Sequence, residues 1–217
     1  FLHQINVLPE VTVYTCAHNA EKYIEQCMKS VMLQAFDNIE YIIIDDHSTD
    51  NTQNRIAEYM SSLPIEKKNR ITVIRNKKNE GLPACCNKAL ALAKGKFIIR
   101  VDADDFISYN LLNKCIEEIK LNDVQSVFTG YTEVDDEGNT GKEVKDNPFH
   151  PACSMMATWA VNELKYQENL KYMEGADFFE RFNNRYGYIH IDTPLWYYRQ
   201  HGEQKTAQKD HPLNGDK

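Results

Sequence analysis

The 217-residue chain has no apolar run long enough to span a bilayer, and no secretory signal at its start. It has no Cys-x-x-Cys pair. Its six cysteines, Cys16, Cys27, Cys85, Cys86, Cys115 and Cys153, include the adjacent Cys85-Cys86 but no metal or redox spacing. Most occupy positions where small apolar residues fit, which points to reduced thiols in a reducing compartment. The expected location is cytoplasmic, with peripheral attachment to a membrane left open. Cations are outnumbered: 25 Lys and Arg face 32 Asp and Glu, a formal charge of −7. That balance argues against nucleic acid as a partner and against non-specific binding to an anionic membrane. Internal repeats and low-complexity tracts are absent. The opening FLHQINVLPE lacks a Met, as expected of an excised domain or a processed chain with further domains outside it. Hydrophobic residues, at 42%, suffice for a full core.

What is present centres on Lys96–Phe106, KFIIRVDADDF. Its apolar half, Phe97-Ile98-Ile99 with Val101, reads as a buried strand. Its other half holds Asp102, Asp104 and Asp105. A strand that stops in carboxylates sets them at the carboxyl edge of a sheet, where open α/β sheets bind ligands. Crowded like charges are costly unless a cation or hydrogen-bond donors offset them. Oxygen ligands of this type suit Mg²⁺ or Mn²⁺. A polar turn after a strand is the competing reading, because Asp is common in turns.

The chain order extends this picture. Val11–Cys16 alternates as a first strand, and Glu21–Gln34 carries apolar residues at helical spacing. Ile39–Ile44 is a second strand that ends in Asp45-Asp46. The segment His47–Asn51 is rich in N-cap residues, and a helix is predicted from about Thr52 to Met60, broken by Ser61–Pro64. Ile71–Arg75 is a third strand. Leu82–Lys94 is a helix with Gly95 as its expected C′ cap. This β-α-β-α-β-α-β order predicts a doubly wound, mostly parallel sheet in an α/β fold. The second half predicts a helix over Leu111–Leu121, a strand over Val124–Val134 and a turn at Asp135–Asn139. Lys142–His150 reads as polar and mobile. Ala152–Ala160 fits strand and helix equally. A helix over Asp177–Tyr186 and short strands at Tyr188–Ile191 and Leu195–Gln200 complete a smaller mixed part.

Two stretches, VTVYTCAHNAEKYIEQCMKSVMLQAFDNIEYIIIDDHSTDNT and NEGLPACCNKALALAKGKFIIRVDADD, resemble the family 2 glycosyltransferases of the GT-A fold. The match is dense from Val11 to Asp105 and thinner to His201. It rests on the strand-end Asp pair before Ser-Thr-Asp, the Asn-x-Gly loop, the Lys-Gly pair and Asp-x-Asp, in family order. The resemblance implies a nucleotide-sugar-binding half over residues 1–106. An acceptor-binding half of the same domain would cover 107–202, and a tail or linker 203–217. It further implies that Thr15, Cys16, Ala17 and Asn19 line the base and ribose. Asp46 would accept from the base, as expected for uracil, so UDP is favoured. Gly81 would admit the nucleotide, and Ala103 would touch it. Asp104 would reach a Mn²⁺ or Mg²⁺ ion, with Asp102 on the ribose or a metal-bound water. His201, in Tyr-Arg-x-His, would complete the metal site. The metal would stabilise the departing nucleoside diphosphate, because the breaking C1–O bond leaves charge there.

Two departures stand out. The family's usual general base follows a Glu, and here Glu174 is followed by Gly175. Glu174 or Asp177 must then take the acceptor proton, with Asp177 slightly preferred by its place in the first turn of a helix. The family also commonly has an Arg before Asn87, and Cys86 stands there instead. The expected activity is inverting transfer from a nucleotide-sugar to a hydroxyl on a glycan, a lipid-linked molecule or a protein. The alternative is a catalytically impaired nucleotide-sugar-binding module of the same fold. A nucleotidyltransferase would need a glycine-rich basic loop after the first strand, and Thr15–Glu21 contains no glycine. Tyr166, Tyr172, Trp159 and Trp196 are candidates to stack on a sugar, although aromatics at such spacings are more often core.

Overall fold

The computed structural model describes residues 8–145, 154–170, 173–202 and 204. Cys153, Tyr172, the end of the polar stretch at 146–150, positions 152–153 and the tail beyond 204 lie outside the described residues.

The first half forms as the periodicity predicts. β1 (Val11–Ala17), β2 (Ile39–Asp45), β3 (Ile71–Arg75) and β4 (Phe97–Arg100) pair in parallel, in the order β3-β2-β1-β4. Between them run α1 (Ile24–Met32), α2 (Thr52–Ser62), the single turn α3 (Ile65–Lys68) and α4 (Leu82–Leu92). α2 continues through Ser62, because Pro64 blocks only the following turn. β2 is the apolar centre: Tyr41 to Ile44 are all buried. Such a continuous apolar run is what a strand covered on both faces requires.

The chain winds outward from β1 to β3, then returns to place β4 on the other side of β1. The strand order therefore reverses between β1 and β4, and a crevice opens at the carboxyl ends of such a pair. Gly95 makes that return tight. The expected capping role falls to Ala93, whose φ of −61° and ψ of 129° end α4. Gly95 instead donates its N–H to Thr12 Oγ1 at 2.9 Å, and a Cβ there would lie 2.3 Å from Thr12 N. Close backbone approach, not a left-handed turn, fixes glycine at this position.

The second half extends the same sheet. It contributes β5 (Phe106–Ile107), α5 (Leu111–Asn122), β6 (Ser126–Val134), β7 (Thr140–Val144), β8 (Ser154–Ala157), α6 (Thr158–Leu164), α7 (Glu174–Tyr186) and β9 (Ile189–Arg199). β8 runs antiparallel to both β4 and β6, and β9 runs parallel to β6. Nine strands thus share one mixed sheet among the described residues. The ambiguous 152–160 segment is strand and then helix, with the change at Thr158. The polar stretch beginning at Lys142 forms part of β7 as far as Val144. The two short strands predicted around Pro194 merge into β9, and the register slips where Gly130 meets Pro194. A register irregularity is where a strand tolerates proline. Among the described residues no helix is long and apolar enough to cross a membrane.

Candidate active site

The crevice at the β1/β4 reversal is a cleft of about 750 Å³. The end of β1 and the turn after it supply Cys16, Ala17, His18 and Asn19 to its lining, and the turn after β2 supplies Asp46. Two unusual backbone conformations shape this end: Asn19 and His47 have φ of 53° and 59°. Asn19 Oδ1 accepts from Thr49 N at 2.8 Å, and Asn19 N donates to Ser48 Oγ at 3.0 Å. His18 Nδ1 donates to the Asp46 carbonyl at 2.8 Å. The turns after β1 and β2 are therefore laced into one wall.

Asp46 is 4% exposed and receives three donors. Asn76 Nδ2 and Glu80 N reach Oδ1, and Gly81 N reaches Oδ2, each at 2.8 Å. Burial alone would raise this carboxyl, but these bonds outweigh it and hold the group below the ordinary Asp value. Asp46 thus fixes the Asn79–Gly81 loop on the cleft. Gly81, with φ of +86°, permits the turn into α4.

Thr15 is not brought to the cleft. It is fully buried, and its hydroxyl bonds to the Val101 carbonyl at 2.8 Å and to Tyr41 at 2.9 Å. It joins β1, β2 and the end of β4 beneath the floor. The correction has a simple origin: side chains alternate along a strand, so Thr15 and Cys16 cannot face the same way.

Asp102, Ala103 and Asp104 form the opposite wall. Arg100, 7% exposed, holds Asp102: Nη2 donates to Oδ2 at 3.2 Å, and Nε lies 2.8 Å from Oδ1 as an ion-pair contact. The Asp102 carboxyl is nevertheless raised, first by burial, with Arg100 opposing and Asp104 adding to the rise. Asp104 Oδ2 lies 3.0 Å from His201 Nε2, and both residues line the cleft. His201 Nδ1 is buried without a hydrogen-bond partner among the described residues. Asp105 faces the interior, where Trp196 Nε1 and Arg199 N donate to it at 2.8 and 2.9 Å. Burial and its two acidic neighbours push it well above the ordinary Asp range.

Arg199, read from the sequence only as part of Tyr-Arg-x-His, organises this wall. It is 2% exposed and donates through Nε to the Asp104 carbonyl at 2.8 Å. Its Nη atoms reach the carbonyls of Asp135 and Asp136 and the Gln26 side chain. Its guanidinium also lies 4.9 Å from the Tyr23 ring, which itself packs on His201. The wall formed by Glu168, Asn169 and Leu170 was not anticipated either. Asn87 positions it, accepting from Tyr166 N at 2.8 Å and donating to Tyr166 O and to Glu168 Oε1 at 2.9 Å. The available signal was Asn87 itself, with Lys88 one of only two polar residues in α4. Arg100 carried a similar signal, as a lone cation in an apolar strand.

The two candidate bases differ in setting. Asp177 is held by Arg181, with Nη2 and Nε at 2.7 and 3.0 Å, and by Gln167. Arg181 also clasps the carbonyls of Leu164 and Lys165, so Asp177 ties α7 to the end of α6. Glu174 is 6% exposed and close enough to raise the Asp102 carboxyl. Neither residue lines the cleft formed by the described residues. Tyr166 and Trp196 are core, Tyr166 stacking on Phe178 at 4.3 Å. Trp159 is 53% exposed and packs edge-on against Tyr186.

The family model described as glycosyl transferase family 2 matches residues 12–194, and the chain belongs to that family. It is 29% identical to an uncharacterized glycosyltransferase of Haemophilus influenzae, over 95% of this chain and 70% of the relative. It is 32% identical to chondroitin synthase of Escherichia coli, over 61% of this chain but only 18% of that much longer protein. Among solved structures it resembles Staphylococcus aureus TarS 1–349 in complex with UDP-GlcNAc, with a TM-score of 0.77 at 22% identity, over 92% of this chain and 61% of the other. It also resembles a Pyrobaculum calidifontis mannosyltransferase in complex with GDP-Man and Mn²⁺, with a TM-score of 0.72 at 16% identity, over 92% and 59%. These likenesses establish the GT-A fold.

Proposed function

We propose that the chain is an inverting glycosyltransferase that takes a sugar from a UDP-linked donor to an acceptor hydroxyl, with a divalent metal at Asp104 and His201. The observation that carries this reading is the charge of the cleft. Its lining includes Asp46, Glu80, Asp102, Asp104 and Glu168 but no Lys or Arg among the described residues. A diphosphate entering such a cleft would meet repulsion at each wall. A cation resolves the conflict: the Asp104 carboxylate suits Mn²⁺ or Mg²⁺, and the His201 imidazole 3.0 Å from it favours Mn²⁺, the softer of the two. No group of three or more metal-ligating side chains occurs among the described residues. A two-residue site of this kind suits an ion that takes its other ligands from water and substrate phosphates. When bound, the ion would supply charge stabilisation to the departing diphosphate.

The chain's own residues carry the remaining roles. Asp46, already satisfied by loop donors, presents a rigid wall to the base. Asp102, held by Arg100, faces the ribose. Glu174 is the general base of this reading, because it lies close enough to the Asp102 carboxyl to raise it, whereas Asp177 ties α7 to the end of α6. Support for UDP comes from the Asp46 position and from the UDP-GlcNAc held by TarS.

The impaired-module reading retains one observation: Gly175, where the family's base is expected, has no side chain to offer. Calorimetric titration with UDP, GDP and dTDP, with and without Mn²⁺, tests the first part. UDP binding that requires Mn²⁺ is expected, and equal binding without metal would overturn the proposal. Donor hydrolysis or transfer then separates an enzyme from a binding module.

A further inference from the structure

One wall of the cleft has no role in the donor reading beyond its charge. Glu168, Asn169 and Leu170 form it, and a side chain from another element fixes it. Asn87, in the second turn of α4, commits its whole amide to this segment. Its oxygen accepts from Tyr166 N at 2.8 Å, and its Nδ2 donates to Tyr166 O and to Glu168 Oε1, both at 2.9 Å. Tyr166 is anchored twice more. Its hydroxyl lies 3.3 Å from that of Tyr14 on β1, and its ring stacks on Phe178 of α7. Glu168, two residues further on, therefore stands on a support tied to the sheet and to two helices. Its side chain is exposed to the cleft. Oε1 takes the Asn87 bond, and Oε2 has no partner among the described residues.

We propose that Glu168 is a specificity-determining residue for the transferred sugar, selecting an uncharged sugar and excluding a hexuronic acid. The inference rests on the donor reading above. In that reading the base lies at Asp46, the ribose at Asp102 and the diphosphate beside Asp104 and His201. The wall that remains is 168–170, and the chain leads from it into α7, which opens with Glu174, the base of that reading. The sugar joins the diphosphate to the attacked carbon, so it must lie between those groups and against this wall.

Glu168 acts there in two ways. A carboxylate only accepts hydrogen bonds, and Oε2 is open to the hydroxyls of a sugar, which donate. It also repels another carboxylate. A hexuronic acid carries –COO⁻ at C6 where a hexose carries –CH₂OH. No Lys or Arg lines the cleft among the described residues to pair with that group, and Asp102 adds charge of the same sign. Specificity of this kind is built against the wrong ligand, through a like charge that nothing offsets.

The test titrates the full chain in Mn²⁺ with UDP and with two matched pairs of donors. The pairs are UDP-glucose with UDP-glucuronate, and UDP-galactose with UDP-galacturonate. Members of a pair differ only at C6. Each neutral donor should bind about tenfold or more tightly than its acid, the scale expected of like charges a few ångström apart under solvent screening. In Glu168→Gln the Gln oxygen can keep the bond from Asn87 while the charge is gone, so the ratio should shrink about threefold or more. Glu168→Lys should shrink it further. The position is exposed, so neither variant threatens the fold.

An acid that binds the unaltered protein as tightly as its neutral partner, in either pair, would overturn the sugar class. A ratio that stays the same in all three proteins would remove Glu168 as the determinant. In both cases UDP still binds with Mn²⁺, and the donor reading survives. A chain that binds none of the five ligands would instead defeat the donor reading, and this inference with it.

Discussion

The two acidic walls of the cleft are built from the same residue type and behave in opposite ways. At the end of β2, Asp46 receives an amide and two backbone N–H groups, and its carboxyl is held below the ordinary value. At the end of β4, Asp102 and Asp105 are both raised, with burial as the leading cause and Asp104 adding to each. The first wall is electrostatically complete without a ligand. The second has more negative charge than its donors offset, even with Arg100 and Arg199 beside it. Under the proposed function, the difference indicates which end of the cleft would take up a cation: the crowded wall, where Asp104 and His201 converge.

Removing that convergence should have the largest effect. Asp104→Ala is expected to weaken Mn²⁺-dependent UDP binding about 1,000-fold, or about 4 kcal/mol, in calorimetry. Affinity like that of the unaltered protein would erase the distinction between the walls. Next in size is Glu174→Gln, which should lower the transfer rate about 100-fold or more with donor affinity intact. Asp177→Asn should leave that rate within about twofold, because it disturbs only a partly exposed helix pair worth at most about 1 kcal/mol. A reversed ranking in steady-state assays would return Asp177 to the role of base. His201→Ala should cost about tenfold in Mn²⁺ requirement, since Asp104 and the diphosphate remain, a loss of about 1.4 kcal/mol. An unaltered Mn²⁺ titration would remove His201 from the site.

The first wall gives an effect of another kind, on stability rather than on metal or rate. Asp46→Asn places an amide against groups that donate, and should cost about 1–3 kcal/mol in thermal or urea unfolding at neutral pH. The depressed carboxyl binds protons more weakly in the folded chain than in the unfolded one. Its contribution is therefore fully present above the unfolded value of about 3.9 and is lost as pH falls through the lower folded value. The gap between the two proteins should close over that acidic window. A gap independent of pH would mean that Asp46 is not held as an anion.

The parallel half was legible because each of its strands is an apolar run ending at a polar turn, and each helix carries one apolar face. Asp46, Asp102, Ala103, Asp104, Gly81 and His201 could be placed together from motif order and all line the cleft. Thr15 could not be, because the alternation of a strand decides its direction and the motif does not. The second half was harder to read for a different reason. β9 carries Pro194 across a register slip, and β8 gives way to α6 with no break residue at Thr158. The partners that resolve such segments lie far away in the chain, so local pattern does not contain them. Gly95 illustrates the same limit: a glycine after a helix suggests a cap, and only the neighbouring β1 backbone reveals why no side chain fits.

The clasp of Asp105 by Trp196 and Arg199 sets the order in which this molecule can become functional during synthesis. Asp104 has emerged from the ribosome long before the residues that anchor its carbonyl and supply His201. Until β9 docks, the crowded acids lack Arg199, and Asp105 lacks both of its donors. A nascent chain ending after α5 would hold most of the residues that line the cleft and still lack the partners that set the wall around Asp104. The cleft is thus finished last, by the strand furthest from its beginning, whose Trp196 and Arg199 reach back to Asp104 and Asp105.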